Sequence, residues 1–220
     1  YINTEKNKFV KIDNDSIRLV NYLPEIKNKR SDKKYNLIIV MLKSKKETDR
    51  IVMVGPFPPP ITGMANVNFY IYELLKKNLD KEIQICDTSG PSLEKNIYYY
   101  IKRISKIFKT IIFLINVSKK DTIYFSISGG FGQIYELIFL IVLRLKRLRN
   151  IICHHHSYDY INNKRLISSL LFSIAGSETL HLSLSQMMAQ KLKNKYSGIK
   201  RTMVLSNILF INDNESNGRI

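Results

Sequence analysis

The chain has no tryptophan, only two cysteines, and few acids: 18 Asp and Glu stand against 35 Lys and Arg in 220 residues. The shortage of acid leaves a net charge of +17 and excludes a halophile-like acidic surface. It invites nucleic acid, anionic lipid or phosphorylated ligands as partners. The missing tryptophan accompanies a crowd of Lys, Ile, Asn and Tyr. That is the profile of AT-rich coding, so part of the charge is compositional background. Cys86 and Cys153 each sit in or at the end of an apolar strand-like run. Two such thiols exclude a disulfide scaffold and point to a reducing compartment. No apolar run approaches the roughly 18 residues of a bilayer span. The longest, such as Leu137–Leu143, suit a buried helix. The first 30 residues lack the apolar core of a signal peptide. The expected location is therefore cytoplasmic.

What is present is globular: 45% hydrophobic and 24% charged, enough for one large domain or a domain with a tail. The charge is unevenly spread. Residues 1–50 carry 13 basic and 7 acidic residues, and 51–90 carry 3 and 4. Residues 91–150 carry 11 and 3, and 151–220 carry 8 and 4. A nearly neutral segment beside a strongly basic one implies faces with different jobs.

Residues 1–50 read as a peripheral or linker segment, polar and without sustained periodicity. From Ile51 the pattern becomes regular. Strands are expected at Ile51–Val54, Glu82–Cys86, Asp121–Ser126, Asn150–His155, Leu180–Leu184 and Thr202–Leu205. Helices are expected at Met64–Leu79, Glu94–Val117, Gly130–Arg149, Ile161–Ile174 and Gln186–Tyr196. The strands are continuous apolar runs alternating with helices. This predicts an α/β fold, a Rossmann-like doubly wound parallel sheet with helices on both faces, over residues 51–210. Residues 211–220 read as a linker or tail. Such a sheet binds its ligand at the carboxyl ends of its strands.

The residues after each strand are thus the candidates. After the first strand, Gly55-Pro56-Phe57-Pro58-Pro59-Pro60 is stiff and poor in backbone donors. It leads to Thr62, a helix cap, and to the small-residue turn Gly63-Met64-Ala65, which suits a phosphate at a helix N-terminus. The G-x-G-x-x-G spacing of a dinucleotide site is absent, and so is a Walker loop. Asp87 mimics a ribose-binding acid but stands alone. Ser128-Gly129-Gly130-Phe131-Gly132 is either a second ligand-facing loop or a plain turn. After the fourth strand come His154, His155 and His156. Adjacent strand residues point to opposite faces, so the three cannot close on one ion, and no partner is spaced for zinc. No metal site is expected. His154 and His156 share a face and suit hydrogen-bonding or acid–base work. Ser185 reads as a helix cap.

Taken in order, these stations resemble the N-terminal half of a GT-B glycosyltransferase of the retaining family 4. The resemblance covers roughly 50–210. It rests on Val54-Gly55-Pro56 to Gly63-Met64-Ala65, on Ile151–Ser157 ending in histidines, on Leu182–Lys193, and on Met203–Asn207. It implies the acceptor-side domain of an enzyme that moves a sugar from a nucleotide-sugar donor, with retention, to a polysaccharide or lipid-linked acceptor. It implies no cofactor and no metal ion. It implies Gly63, Met64 and Ala65 near the donor phosphates, and His156, with His154 second, at the reaction centre. Many members carry paired glycines in this first loop, and Met64 stands at the second of them. The donor half of the family lies in a C-terminal domain that this chain, ending at Ile220, does not reach. The implied activity is therefore incomplete without a further or separate domain.

Glu94–Val117 is strongly amphipathic. Ile97, Ile101, Ile104, Phe108, Ile111, Ile112 and Ile115 gather on one face, with Lys102, Arg103, Lys106 and Lys109 opposite. With the apolar face on the sheet, the four cations would be left for anionic lipid headgroups at the inner face of a plasma membrane. Two other readings compete with the transferase. One is a non-catalytic basic module for nucleic acid or membrane, although no nucleic-acid motif is present. The other is an inactive truncated remnant.

Overall fold

A computed structural model describes residues 8–13, 16–21, 49–92, 94 and 96–205. The chain divides into two compact units, residues 1–46 and 47–220. In the first, β1 (Lys8–Asp13) and β2 (Ser16–Asn21) pair as an antiparallel hairpin. The sequence pattern had singled out no element there. The remainder of 1–48, the tail 211–220 and the Ser206-Asn207 pair lie outside the described residues.

The second unit alternates strands and helices. In chain order these are β3 (Arg50–Gly55), α1 (Gly63–Asn78), β4 (Glu82–Asp87), α2 (Ile97–Ile115) and β5 (Thr122–Ile127). A 3-10 turn (Gly130–Gly132) then leads into α3 (Gln133–Leu145) and β6 (Ile151–His155). There follow α4 (Asp159–Asn162), α5 (Leu166–Ala175), β7 (Leu180–Ser183), α6 (Gln186–Lys195) and β8 (Arg201–Val204). The single helix expected over Ile161–Ile174 is two. Asn163 takes an extended conformation at the end of α4, and Arg165 is extended before α5.

The six strands form one sheet in the order β4-β3-β5-β6-β7-β8, every neighbouring pair parallel. This is the doubly wound Rossmann-like class. The chain first moves outward from β3 to β4, then crosses back over β3 to β5 and continues in that direction. Right-handed crossovers therefore place α1 on one face and α2, α3, α5 and α6 on the other. Burial agrees. Ile123, Phe125 and Ile127 of β5 share a core with Leu114 of α2, Phe139, Leu140 and Leu143 of α3, Phe172 of α5 and Met188 and Leu192 of α6. The intervening β5 residues Tyr124 and Ser126 meet Asn68 of α1 instead. The direction reverses between β3 and β5, and that is where such sheets open a crevice at their carboxyl ends.

Three helix starts carry a side-chain cap. Thr62 caps α1 by accepting from the Ala65 amide at 3.1 Å. Asn96 caps α2 through Tyr99 N at 2.9 Å, and Ser185 caps α6 through Met188 N at 3.1 Å. Such caps are each worth about 1 kcal/mol.

The second helix is turned over relative to the sequence expectation. It packs inward with Tyr99, Arg103, Lys106, Thr110 and Leu114, while Ile97, Ile101, Ile104, Phe108, Ile112 and Ile115 are exposed. Ile111 is half-buried. The cations consequently do not share one solvent face. Lys102 and Lys109 are exposed, but Arg103 and Lys106 are half-buried and engaged inside. Arg103 donates to the Tyr99 hydroxyl and, at 2.5 Å, to that of Tyr135 on α3. Lys106 forms a 2.5 Å ion pair with Asp87 at the end of β4. An acid and two phenols inside the domain supply partners that a solvent-facing stripe would lack.

Candidate functional site

The site grows from the parity of β6. Its alternating side chains send His154 to the α1 face and Cys153 and His155 to the four-helix face. His156 follows the strand, anchored by its amide to Ile127 O at 3.2 Å, and its ring lies 4.1 Å from that of His154. The triplet is thereby divided between two environments.

On the α1 face the cluster is polar and linked. Asn68 of α1 donates to Pro56 O at 2.9 Å and accepts from Ser126 Oγ at 2.7 Å. The Tyr124 hydroxyl lies 2.5 Å from His154 Nδ1 and 3.4 Å from Asn68 Oδ1. One proton lies between the Tyr124 hydroxyl and Nδ1, and the tautomer of His154 decides which of the two donates it. Gly55 makes this junction possible. A Cβ there would stand 2.7 Å from Ser126 Oγ and 2.8 Å from Asn68 Nδ2. His154 is fully buried and His156 half-buried, and the Nε2 atoms of both are buried without a hydrogen-bond partner. Burial, reinforced by its histidine neighbours, holds His154 well below the usual imidazole range. Burial alone pushes His156 down to about 3. Both rings are neutral at physiological pH. They can donate or accept a hydrogen bond, but neither is a stored imidazolium acid.

Three loops border this cluster at the strand ends. The proline loop after β3 is stapled to β4 by Asp87, which accepts from Phe57 N at 3.0 Å, Ser89 N at 2.8 Å and Ser89 Oγ at 2.9 Å. Burial pushes the Asp87 carboxyl up, but the bonds from Lys106, Ser89 and Phe57 outweigh it and hold the group below its ordinary value. Asp87 is thus a loop anchor and not a free ribose-binding acid. At the start of α1, Gly63 is exposed and Met64 half-buried, with nothing within 4 Å of a Cβ placed on Gly63. Ala65 is fully buried, and its amide is already satisfied by Thr62. The glycine loop after β5 runs against the loop after β6. Gly130 N donates to Asp159 Oδ2 at 3.2 Å, and a Cβ on Gly129 would come within 2.5 Å of Ser157 Oγ. Phe131 projects from it with 90% exposure.

On the four-helix face, His155 is buried among aromatics. Its Nδ1 lies 2.9 Å from the Tyr160 hydroxyl and its Nε2 2.9 Å from Nδ1 of His181 on β7. Burial drives both rings down, His181 to about 3. Sequence reasoning missed His181. Only register could have found it, because β6 and β7 pair with Cys153 opposite His181. It also missed Glu136, buried in the first turn of α3, whose Oε1 accepts from Ser128 N at 2.9 Å and from the Ser128 hydroxyl. Burial pushes this carboxyl up to about 7 against the lowering pull of Ser128 and Arg103. A signal was available, since Glu136 is the only acid between Asp121 and Asp159.

Comparisons with protein-family models, curated proteins and solved structures give no match. Among the described residues, no group of three His, Cys, Asp or Glu is placed to hold a metal ion. Among the described residues, no helix is long and apolar enough to cross a membrane.

Proposed function

We propose that residues 51–210 are the acceptor-side domain of a retaining GT-B glycosyltransferase, acting on a polysaccharide or lipid-linked acceptor with a nucleotide-sugar donor. The observation that carries this reading is the pair of unpartnered Nε2 atoms on His154 and His156, grouped at the carboxyl end of β6 beside the β3–β5 reversal. His156, the less buried of the two, meets the substrate. As a neutral ring it orients an acceptor hydroxyl or hydrogen-bonds the transferred sugar, and His154 with Tyr124 sets its position. The start of α1, with Gly63 exposed and Met64 half-buried, faces the donor phosphates. The leaving diphosphate is stabilised by cations and helix dipoles, without a metal ion or cofactor. In the resembled family the donor is held mainly by a second domain, so residues 51–210 are read as supplying the acceptor side. A lipid-linked acceptor would bring the domain to the inner face of the plasma membrane.

Histidine-selective 15N NMR tests the site. Titration with a glycan acceptor should shift the His156 Nε2 resonance more than that of His181, and a nucleotide sugar alone should shift it little. A response confined to His155 and His181, or no response to any acceptor, would remove the reading. Robust turnover of a radiolabelled nucleotide sugar by the isolated chain would keep the transferase but refute the division of labour.

A further inference from the structure

The outward sides of α2 and α3 form one apolar surface. On α2 the six exposed apolar side chains fall within about 80° of arc, opposite the packed side. On α3, Ile134, Ile138, Ile141 and Leu145 are exposed within about 60°, again opposite the packed side. The helices are neighbours on one face of the sheet and run in the same direction. Arg103 joins them near their starts through Tyr135, and Lys146 joins their ends by donating to Ile115 O. Both stripes therefore point the same way, along a face about 28 Å long. Phe108 is 63% exposed and Leu145 79%. Patches of this kind mark an interaction site.

Charge selects the occupant. Residues 97–149 hold ten Lys and Arg and only two acids, Asp121 and Glu136. Both acids are buried. The exposed cations Lys102 and Lys109 lie along one flank of the α2 stripe, and Lys119, Lys120, Arg147 and Arg149 are exposed around the helix ends. A second copy across a two-fold axis would set this charge against itself. A nucleic acid would meet a surface whose centre is aliphatic, with polar groups such as Tyr98 and Ser105 only along its edge. A bilayer with anionic headgroups satisfies both parts: acyl chains take the Ile and Leu stripes, and headgroups take the flanking lysines.

We infer that the α2–α3 face is a membrane-docking surface for anionic bilayers, with its isoleucine stripes inserted and Lys102 and Lys109 at the headgroups. This inverts the orientation implied by the amphipathic pattern, which reserved the basic side for lipid. It stands independently of the transferase reading.

The lack of tryptophan supplies a clean probe. Phe108→Trp places the sole indole on the exposed stripe. The full-length variant is mixed with phosphatidylcholine vesicles with and without phosphatidylglycerol. The expected result is co-sedimentation with the anionic vesicles only, with a blue shift and quenching of the indole by brominated acyl chains. Ile104→Asp with Phe108→Asp should reduce partitioning at least tenfold while leaving the circular dichroism and Tm unchanged, because both positions are solvent-facing. Lys102→Gln and Lys109→Gln should each weaken binding about fivefold. Failure of Phe108→Trp to bind anionic vesicles overturns the inference. So does an indole already blue-shifted without lipid, which would mean that the chain covers its own stripe, or a stable dimer in sedimentation that the double aspartate variant dissolves. Binding to random DNA with vesicle binding absent overturns it as well.

Discussion

The two faces of the sheet treat the same side chain in opposite ways. His155 enters the four-helix face, where Tyr160 and His181 occupy its ring nitrogens and Phe172 packs against it. His154 and His156, one residue to either side, share the face covered by α1 and keep Nε2 atoms without partners. His155 has both ring nitrogens bonded inside a core, where only its partner His181 keeps a buried Nε2 without a bond, and His154 and His156 leave two such atoms side by side at a strand end. The difference teaches that the triplet is not one motif. Strand parity divides it before any chemistry begins.

Acid should produce the largest effect, and it engages both faces. All four histidines are held below their ordinary pKa by burial. The unfolded chain therefore takes up their protons first as pH falls below about 6.5. Their stability contribution is complete above that value and is lost on acidification, at about 1.4 kcal/mol per pH unit for each. Glu136, raised to about 7, acts in reverse: its contribution is present at low pH and is lost as pH rises through its folded value. Four against one leaves a net loss of stability as pH falls below about 6.5. Urea midpoints measured from pH 7.5 to 5 check this, and a flat profile would contradict it. His155→Leu with His181→Leu should remove more than half the slope, because two of the four histidines go while Glu136 stays, which apportions acid sensitivity between the faces.

Next in size is His181→Ala. It leaves His155 Nε2 unpaired in the core and opens a cavity beside Phe172, at a cost of about 2–4 kcal/mol in denaturant unfolding. The α1 face has its own sensitive point in Gly55. Gly55→Ala drives a methyl group toward Ser126 and Asn68, with an expected cost of about 1–2 kcal/mol. It should also move the Tyr124 and His154 resonances while leaving those of His155 and His181 in place. Equal movement on both faces would deny that the two networks are separate.

Much of this architecture was legible in the sequence, for identifiable reasons. The four inner strands are buried on both faces, so they read as apolar runs, and each of the six expected in the second unit is present within two residues at either end. The division of His154 and His156 from His155 follows from a period of two. The partner of His155 did not, because His181 arrives through the pairing of β6 with β7 and no local pattern encodes register. The orientation of α2 was misread for a sharper reason. A 3.6-residue period locates an apolar stripe but does not say which side faces inward. Here the inward side includes Arg103 and Lys106, whose partners Tyr135 and Asp87 are 32 and 19 residues distant in the chain. Cations at helical spacing look solvated until such partners are known.

The smallest stability effect belongs to His156, and that smallness is the point of the comparison. Its Nε2 bonds nothing, and its half-buried ring lies tilted beside that of His154, so His156→Ala removes no satisfied hydrogen bond of the ring Nε2 and opens no fully enclosed cavity. The expected change in unfolding free energy is below about 1 kcal/mol, against about 2–4 for His181→Ala on the opposite face. A ligand response should follow the reverse order. His156→Ala should abolish the acceptor-induced resonance shifts at His154 and Tyr124, and His181→Ala, measured where it remains folded, should leave them intact. His156→Gln offers an amide that can hydrogen-bond in place of Nε2, and it should restore part of the acceptor affinity. If His156→Ala instead unfolds the protein as readily as His181→Ala, the unpartnered nitrogen is holding structure, and the α1 face is a second core with no site in it.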